Sequence, residues 1–366
     1  MKFTQSFSCL LSLCLLSGLV ILSSSTSAGA AADLPDLVIL YTGDGRGNIE
    51  PSGCCSKIGG MARRATKIKE FRELYKNVIL ADSGDFLWKR NGDMLHPLQV
   101  EHVRKAFTAI GYDAVNIGDG EITSGETFIK HFRTDSAMPL VSSNVTLAKD
   151  AERAWHPYII RESGKVKTAI IGLSSPDLVQ SNPDGLFAVS DPIGTLEKLL
   201  PEISAKADII VLLSHLGWEK SKQVVERFPM IDIVVVGHDS YPTFSSETIG
   251  KTLMVKNAAG GGLLGVVEIW TGASNLPVKM ESRLEVLVEK IQPLPEYAKL
   301  EQDYRGRVFA YKRRPQPDQT SRDDGKYLKM TPEQFMEEMK KENRVLSMDE
   351  FMKKNKIKGF PQAGKP

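Results

Sequence analysis

Short apolar runs rich in Val, Ile and Leu recur along this chain, and amphipathic stretches fill several of the gaps between them. Strands are expected at Leu37 to Tyr41, Val78 to Ala81, Ala114 to Ile117, Leu140 to Ser142, Tyr158 to Arg161, Thr168 to Ile171, Ile209 to Leu213, Ile233 to Val236, Leu253 to Lys256 and Leu264 to Trp270. Helical patterns occupy Ala62 to Tyr75, Pro97 to Ile110, Ile193 to Ala205 and Glu219 to Arg227. Near-continuous apolar strands are those buried on both faces. The alternation therefore predicts an α/β layered sheet.

The ends of the chain read differently. Lys2, an apolar stretch from Phe7 to Leu22 and the small-residue run Ala28-Gly29-Ala30 form a secretory signal over residues 1 to 30. A retained single-pass anchor is the alternative, but Ser8, Ser12, Ser17 and Gly18 interrupt the apolar stretch. Cleavage takes Cys9 and Cys14 with the leader and leaves Cys54 and Cys55, so the exported chain has no disulfide framework and is periplasmic or secreted. It is expected to have no membrane span after cleavage.

At the other end, residues 301 to 366 hold 16 Lys plus Arg against 11 Asp plus Glu, while residues 31 to 300 hold 30 against 34. The basic tail contains two capped helix starts, Thr331-Pro332-Glu333-Gln334 and Ser347-Met348-Asp349-Glu350, and five Met. Its apolar side is expected to pack on the body, with docking to an envelope protein as the other reading. The expected division is signal 1 to 30, one domain 31 to 275, and a linker with helical tail over 276 to 366. Overall net charge is only +2, which gives no electrostatic case for a nucleic acid polymer as partner.

Five polar clusters each follow an apolar strand: Thr42-Gly43-Asp44-Gly45-Arg46-Gly47, Asp82-Ser83-Gly84-Asp85, Gly118-Asp119-Gly120-Glu121, Ser214-His215-Leu216-Gly217 and Gly237-His238-Asp239-Ser240. In an α/β sheet, ligand-binding residues gather at the carboxyl ends of strands, so these loops should converge. Asp and His together suit a borderline divalent metal such as Mn, Zn or Fe. One strand-end Asp-Gly is ordinarily a turn former. Five clusters, two of them carrying His from a chain with only six, point to a site.

The order of these clusters resembles the calcineurin-like metallophosphoesterases, in particular their exported 5′-nucleotidase branch. Further similar segments are Gly59-Gly60-Met61-Ala62-Arg63, Ile110-Gly111-Tyr112-Asp113-Ala114-Val115, Ser143-Asn144-Val145 and Val166 to Leu173. The resemblance covers residues 36 to 271. It implies a four-layer α/β/β/α sandwich, two divalent metals and a small phosphate-ester substrate.

Carried over residue by residue, it implies metal ligands Asp44, Asp85, Asp119, His215 and His238. Three family histidines are replaced, by Arg46, Gly120 and Ser240. One metal position then keeps Asp85, Asp119, His215 and His238, and the other keeps Asp44 and the shared Asp85. Arg46 places a guanidinium where the second ion would sit, able to pair with Asp44 and Asp85 or to hold a phosphate oxygen. Gly120 removes the group that protonates the leaving oxygen in the family.

Cys54 and Cys55 lie between the first cluster and the Gly59-Gly60 turn, at the expected rim of the site. A redox-active thiol, a soft-metal ligand, a cross-link to a partner and two small buried residues all remain open for the pair. The family's nucleotidases usually add a C-terminal substrate domain, and here the residues after Thr271 read as a short helical tail, so a generic phosphoesterase is expected over a nucleotidase. The expected function is an exported hydrolase of the metallophosphoesterase/5′-nucleotidase family, splitting phosphate esters with metal-activated water at a depleted, one-metal site. The alternative is a catalytically silent binding or redox-partner protein that uses the same fold, with Cys54, Cys55 and the Met-rich tail as contacts.

Overall fold

The computed structural model describes residues 34–53, 56–89, 93–133, 138–149, 154–177, 182, 185–238 and 245–313. The expected signal, Cys54 and Cys55, Asp239 and Ser240, and the two tail helices lie outside the described residues.

β1 (Leu37–Thr42) is buried along its whole length, as its unbroken apolar run requires. It lies in a six-stranded sheet with β2 (Val78–Asp82), β3 (Ala114–Asn116), β4 (Leu140–Val141), β13 (Leu263–Thr271) and β14 (Pro277–Val286), in the order β14-β13-β1-β2-β3-β4. β1 to β4 pair parallel through helical crossovers, and β13 returns antiparallel against β1. The crossovers are α1 (Met61–Leu74), α2 (His96–Ile110), α3 (Asp119–Ser124) and α4 (Glu126–Phe132).

A second six-stranded sheet contains β6 (Tyr158–Ser163), β7 (Val166–Ser174), β9 (Ile209–His215), β10 (Ile233–Val236), β11 (Ser245–Ile249) and β12 (Thr252–Lys256), ordered β11-β12-β10-β9-β7-β6. Its crossovers include α5 (Pro192–Ser204) and α6 (Trp218–Arg227), and a small ribbon joins β5 (Val145–Leu147) to β8 (Phe187–Val189).

Three apolar clusters lie between four layers. One fills the space between the first sheet and its helices, with the Phe86 ring tilted against those of Phe107 and Phe128. The second lies between the two sheets and includes Ile39, Val211 and Val267. The third joins the second sheet to α5 and α6. The order is helix, sheet, sheet, helix. Strands buried on both faces explain why period-2 alternation is missing from so many of them.

The structure corrects the expected domain edge. β14 pairs with β13 along nearly its full length, and α7 (Pro295–Lys312) packs on α1 and α2, so the body continues well past residue 275. β14 alternates charged and apolar residues as an edge strand does, and a reading tuned to continuous apolar runs passes over it.

Within this frame the carboxyl ends of β1, β2, β3, β9 and β10 come together. Asn116 at the end of β3 joins the two sheets: its Nδ2 donates to Leu173 O at 2.9 Å and Leu213 O at 3.0 Å, both in the second sheet.

Candidate active site

Four residues at these strand ends have left-handed backbones: Asp44 (φ 50), Arg46 (φ 50), Asp85 (φ 59) and His238 (φ 64). Only one other described non-glycine residue, Asn275 in a turn, shares that conformation. Such strain costs on the order of 1–3 kcal/mol per residue and persists where surrounding structure forces it. Its concentration here sets these loops apart from ordinary turns.

The loops are locked together by backbone contacts. Asp44 N donates to Gly84 O at 2.9 Å, and Arg46 N to Asp85 O at 2.7 Å. Glu121, fully buried, accepts from the backbone N–H of Asp85 (2.9 Å), Leu87 (2.8 Å) and Gly118 (2.7 Å). The sequence placed Glu121 in a site cluster, and its carboxylate is committed to holding two loops in register. Burial pushes that carboxyl up to about 8, against the donors that pull it down.

His215 is the centre of the site. Three glycines wall its ring: a Cβ at Gly118 would lie 2.8 Å from Cε1, one at Gly237 2.9 Å from Nδ1, and one at Gly84 3.1 Å from Nδ1. Nδ1 lies 3.0 Å from Ser83 O, to which only an N–H can bond, so Nδ1 carries a proton and Nε2 faces the site. Nε2 lies 2.7 Å from Asp119 Oδ1 and 3.8 Å from Asp85 Oδ1. His238 Nδ1 approaches the same Asp119 oxygen at 3.1 Å, and its backbone N donates to Asp44 Oδ1 at 3.3 Å. All five carboxylate and imidazole residues expected from the sequence are thus brought together.

Electrostatics describe a pocket short of positive charge. Burial raises Asp44, and it raises Asp85 well above the carboxylate range despite His215. Burial works against Asp119 too, yet the two imidazoles hold that carboxylate well below its ordinary range. Burial pulls His215 down, but its hydrogen bond to Asp119 and the charges of Asp85 and Asp44 push it up to about 10. Two overlapping triads have donor atoms within 4.8 Å of one another: Asp119, His215 and His238, and Asp44, Asp85 and His215. Mixed oxygen and imidazole donors, with the inward imidazole nitrogen fixed by a backbone carbonyl, fit a divalent cation. The fit is better around Asp119, where two imidazoles meet one carboxylate.

Arg46 takes a different position from the expected pairing. Its guanidinium lies 5.1 Å from the centre of the Trp88 ring, and its buried Nε has no hydrogen-bond partner. The charge still reaches Asp44, whose carboxylate it favours. Trp88 was not marked by the sequence reading; the aromatic three residues beyond Asp85 was its one signal.

At Gly120 the space for a side chain is closed. A Cβ there would lie 2.0 Å from Leu87 O, and the Gly120 N–H donates to Asp85 Oδ1 at 2.6 Å. The glycine turn after β12 borders the site, with Gly260 N donating to Asp44 O at 2.8 Å. A cavity of about 350 Å³ lies between this turn and the loop of Ser52, Gly53 and Ser56.

No family model matches the chain. Over 227 residues, 57% of its length, it is 30% identical to a snake venom 5'-nucleotidase of Gloydius brevicauda, covering 37% of that protein. The structure of a 5'-nucleotidase precursor from Thermus thermophilus superposes with a TM-score of 0.67 at 22% identity, over 76% of this chain and 60% of the other. The calcineurin-like phosphoesterase YfkN of Bacillus subtilis superposes with a TM-score of 0.64 at 21% identity, over 75% of this chain and 98% of that one. The chain is thus similar in sequence to 5'-nucleotidases and shares the fold of the calcineurin-like phosphoesterases. It spans about two fifths of the length of the curated relatives it matches. The metallophosphoesterase fold accounts for both sheets and for the meeting of their carboxyl ends. Among the described residues no helix is long and apolar enough to cross a membrane.

Proposed function

We infer that this chain is an exported, divalent-metal-dependent phosphoester hydrolase acting on small phosphate esters of the nucleotide type. The observation that carries the reading is the convergence of Asp44, Asp85, Asp119, His215 and His238 from five strand ends, three of them (Asp44, Asp85 and His238) on left-handed backbones. The names of its relatives, 5'-nucleotidases and nucleotide phosphoesterases, support the substrate class.

Asp85, Asp119, His215 and His238 would hold the better-supplied ion, and Asp44 with Asp85 would serve a weaker position. A bound ion supplies a lowered pKa for water and polarises a phosphoryl oxygen. The chain's own groups do the rest. Ser83 O fixes the His215 tautomer so that Nε2 faces inward. Glu121 holds Asp85 and Gly118 in place through three N–H donors. Arg46, propped on Trp88 with an unpartnered Nε, offers a forked contact to a phosphate oxygen and supplies positive charge beside Asp44.

The test is metal content of the purified chain together with turnover of p-nitrophenyl phosphate and nucleoside monophosphates with Mn²⁺, Zn²⁺ or Fe²⁺ added. His215→Ala should lose metal and turnover together. A chain that binds none of these ions and turns over no ester overturns the reading.

A further inference from the structure

β14 forms one edge of the first sheet, and its outer side meets no strand among the described residues. Its register with β13 fixes which backbone groups face outward. Leu287 N donates to Gly262 O, and on the far side of β13 Ile269 O accepts from Asp36 N. Odd-numbered residues of β14 therefore bond inward, while Met280, Ser282 and Leu284 turn their N–H and C=O away from the molecule.

The side chains of this edge follow a symmetric pattern. Lys279, Glu281, Arg283 and Glu285 share one face, and Val278, Met280, Ser282, Leu284 and Val286 share the other. Val278 is 71% exposed and Val286 46%, both large for apolar residues on a strand. The charges are also held in place rather than free. Arg283 pairs with Glu268 at 2.8 Å, and Lys279 lies 4.1 Å from the centre of the Trp270 ring.

We propose that a second copy of this chain pairs antiparallel along β14, about a two-fold axis at Ser282. In that register Glu281 faces Arg283 of the second copy, Lys279 faces Glu285, Met280 faces Leu284, and Val278 faces Val286. Every charge meets its opposite, and the two exposed valines cover each other. Moving the axis one residue breaks the match: at Glu281 it sets Lys279 against Arg283, and at Arg283 it sets Glu281 against Glu285. Moving it two residues keeps some opposite pairs but shortens the pairing from nine residues to seven or five. The joined sheet runs on from one copy into the other. Met280 and Leu284, which already pack against the core between the sheets, extend that row across the axis.

An edge of this length with outward N–H and C=O groups is a template for another strand, and a closed two-fold pairing satisfies it without further growth. The experiment is sedimentation velocity of the full chain over micromolar concentrations. The expected result is a monomer–dimer equilibrium. Lys279→Glu faces Glu285 twice across the axis and should weaken association about tenfold or more. Adding Glu285→Lys to that variant restores the opposite pairs and should recover most of the loss. Both positions are at the surface, and circular dichroism checks that the variants fold. A monomer at every concentration, or a dimer indifferent to Lys279→Glu, overturns the proposal. Hydrogen exchange at Met280, Ser282 and Leu284 gives a second readout: protection that does not depend on concentration assigns the edge to a segment of the same chain and also overturns it.

Discussion

At position 120 the missing side chain has a physical counterpart in the fold, because Leu87 O occupies the place a Cβ would take, 2.0 Å away. Restoring a side chain is therefore expected to shift the Asp85 loop. Gly120→His should lower stability by about 1–3 kcal/mol, as overpacking does, and give no gain in turnover, measured by thermal melting and ester hydrolysis. If the chain hydrolyses phosphate esters as proposed, the absence of a proton donor at position 120 makes it rely on leaving groups that depart unprotonated. General acid help is worth about 10²–10⁴-fold, so aryl phosphates such as p-nitrophenyl phosphate should be favoured over alkyl phosphates by roughly that additional margin. A leaving-group series with a shallow dependence on leaving-group pKa would show that another residue supplies the proton. Glu121 is not available for that role, because its oxygens are occupied by Asp85, Leu87 and Gly118 N–H groups.

Among the elements, α7 does the most that the sequence reading did not anticipate. α1 begins after Gly60 with no side-chain cap of its own, and Glu301 of α7 supplies the acceptor, taking the Ala62 N–H at 2.8 Å. A carboxylate at a helix N-terminus also meets the positive end of the helix dipole. Glu301→Ala should cost about 1–2 kcal/mol by urea denaturation, and Glu301→Gln, which keeps the acceptor, should recover part of it. His102 makes the second link: it is buried in α2, with Nε2 2.8 Å from Asp303 of α7 and Nδ1 2.8 Å from Leu98 O. The helix that His102 packs against was not expected from the sequence. A helix with charges on most faces shows little periodicity, and its place is set by partners more than two hundred residues away.

In the whole molecule, the site exists only because two sheets face each other at a fixed offset. Asn116 holds that offset from below, bonding across to the ends of β7 and β9. Asn116→Ala would strand two buried carbonyls and should cost about 2–4 kcal/mol by urea denaturation. It should also lower turnover more than an equally destabilising change in α5, since β3 and β9 carry site loops. Equal losses from both changes would mean that the contact is structural alone.

Much of this was legible locally. Continuous apolar strands, interleaved helices and glycine-flanked Asp and His residues specified a layered α/β fold and marked the strand-end clusters, because strand burial and turn chemistry are written in neighbouring residues, and the family resemblance singled out within them the five residues that meet in the site. The distant contacts were not. Arg46 rests on Trp88 and not against the carboxylates, Glu121 locks loops together, and Leu87 O closes the space at Gly120. These depend on which backbone atoms approach from other strands. Composition and periodicity record what a residue prefers, while only the folded chain decides what it meets.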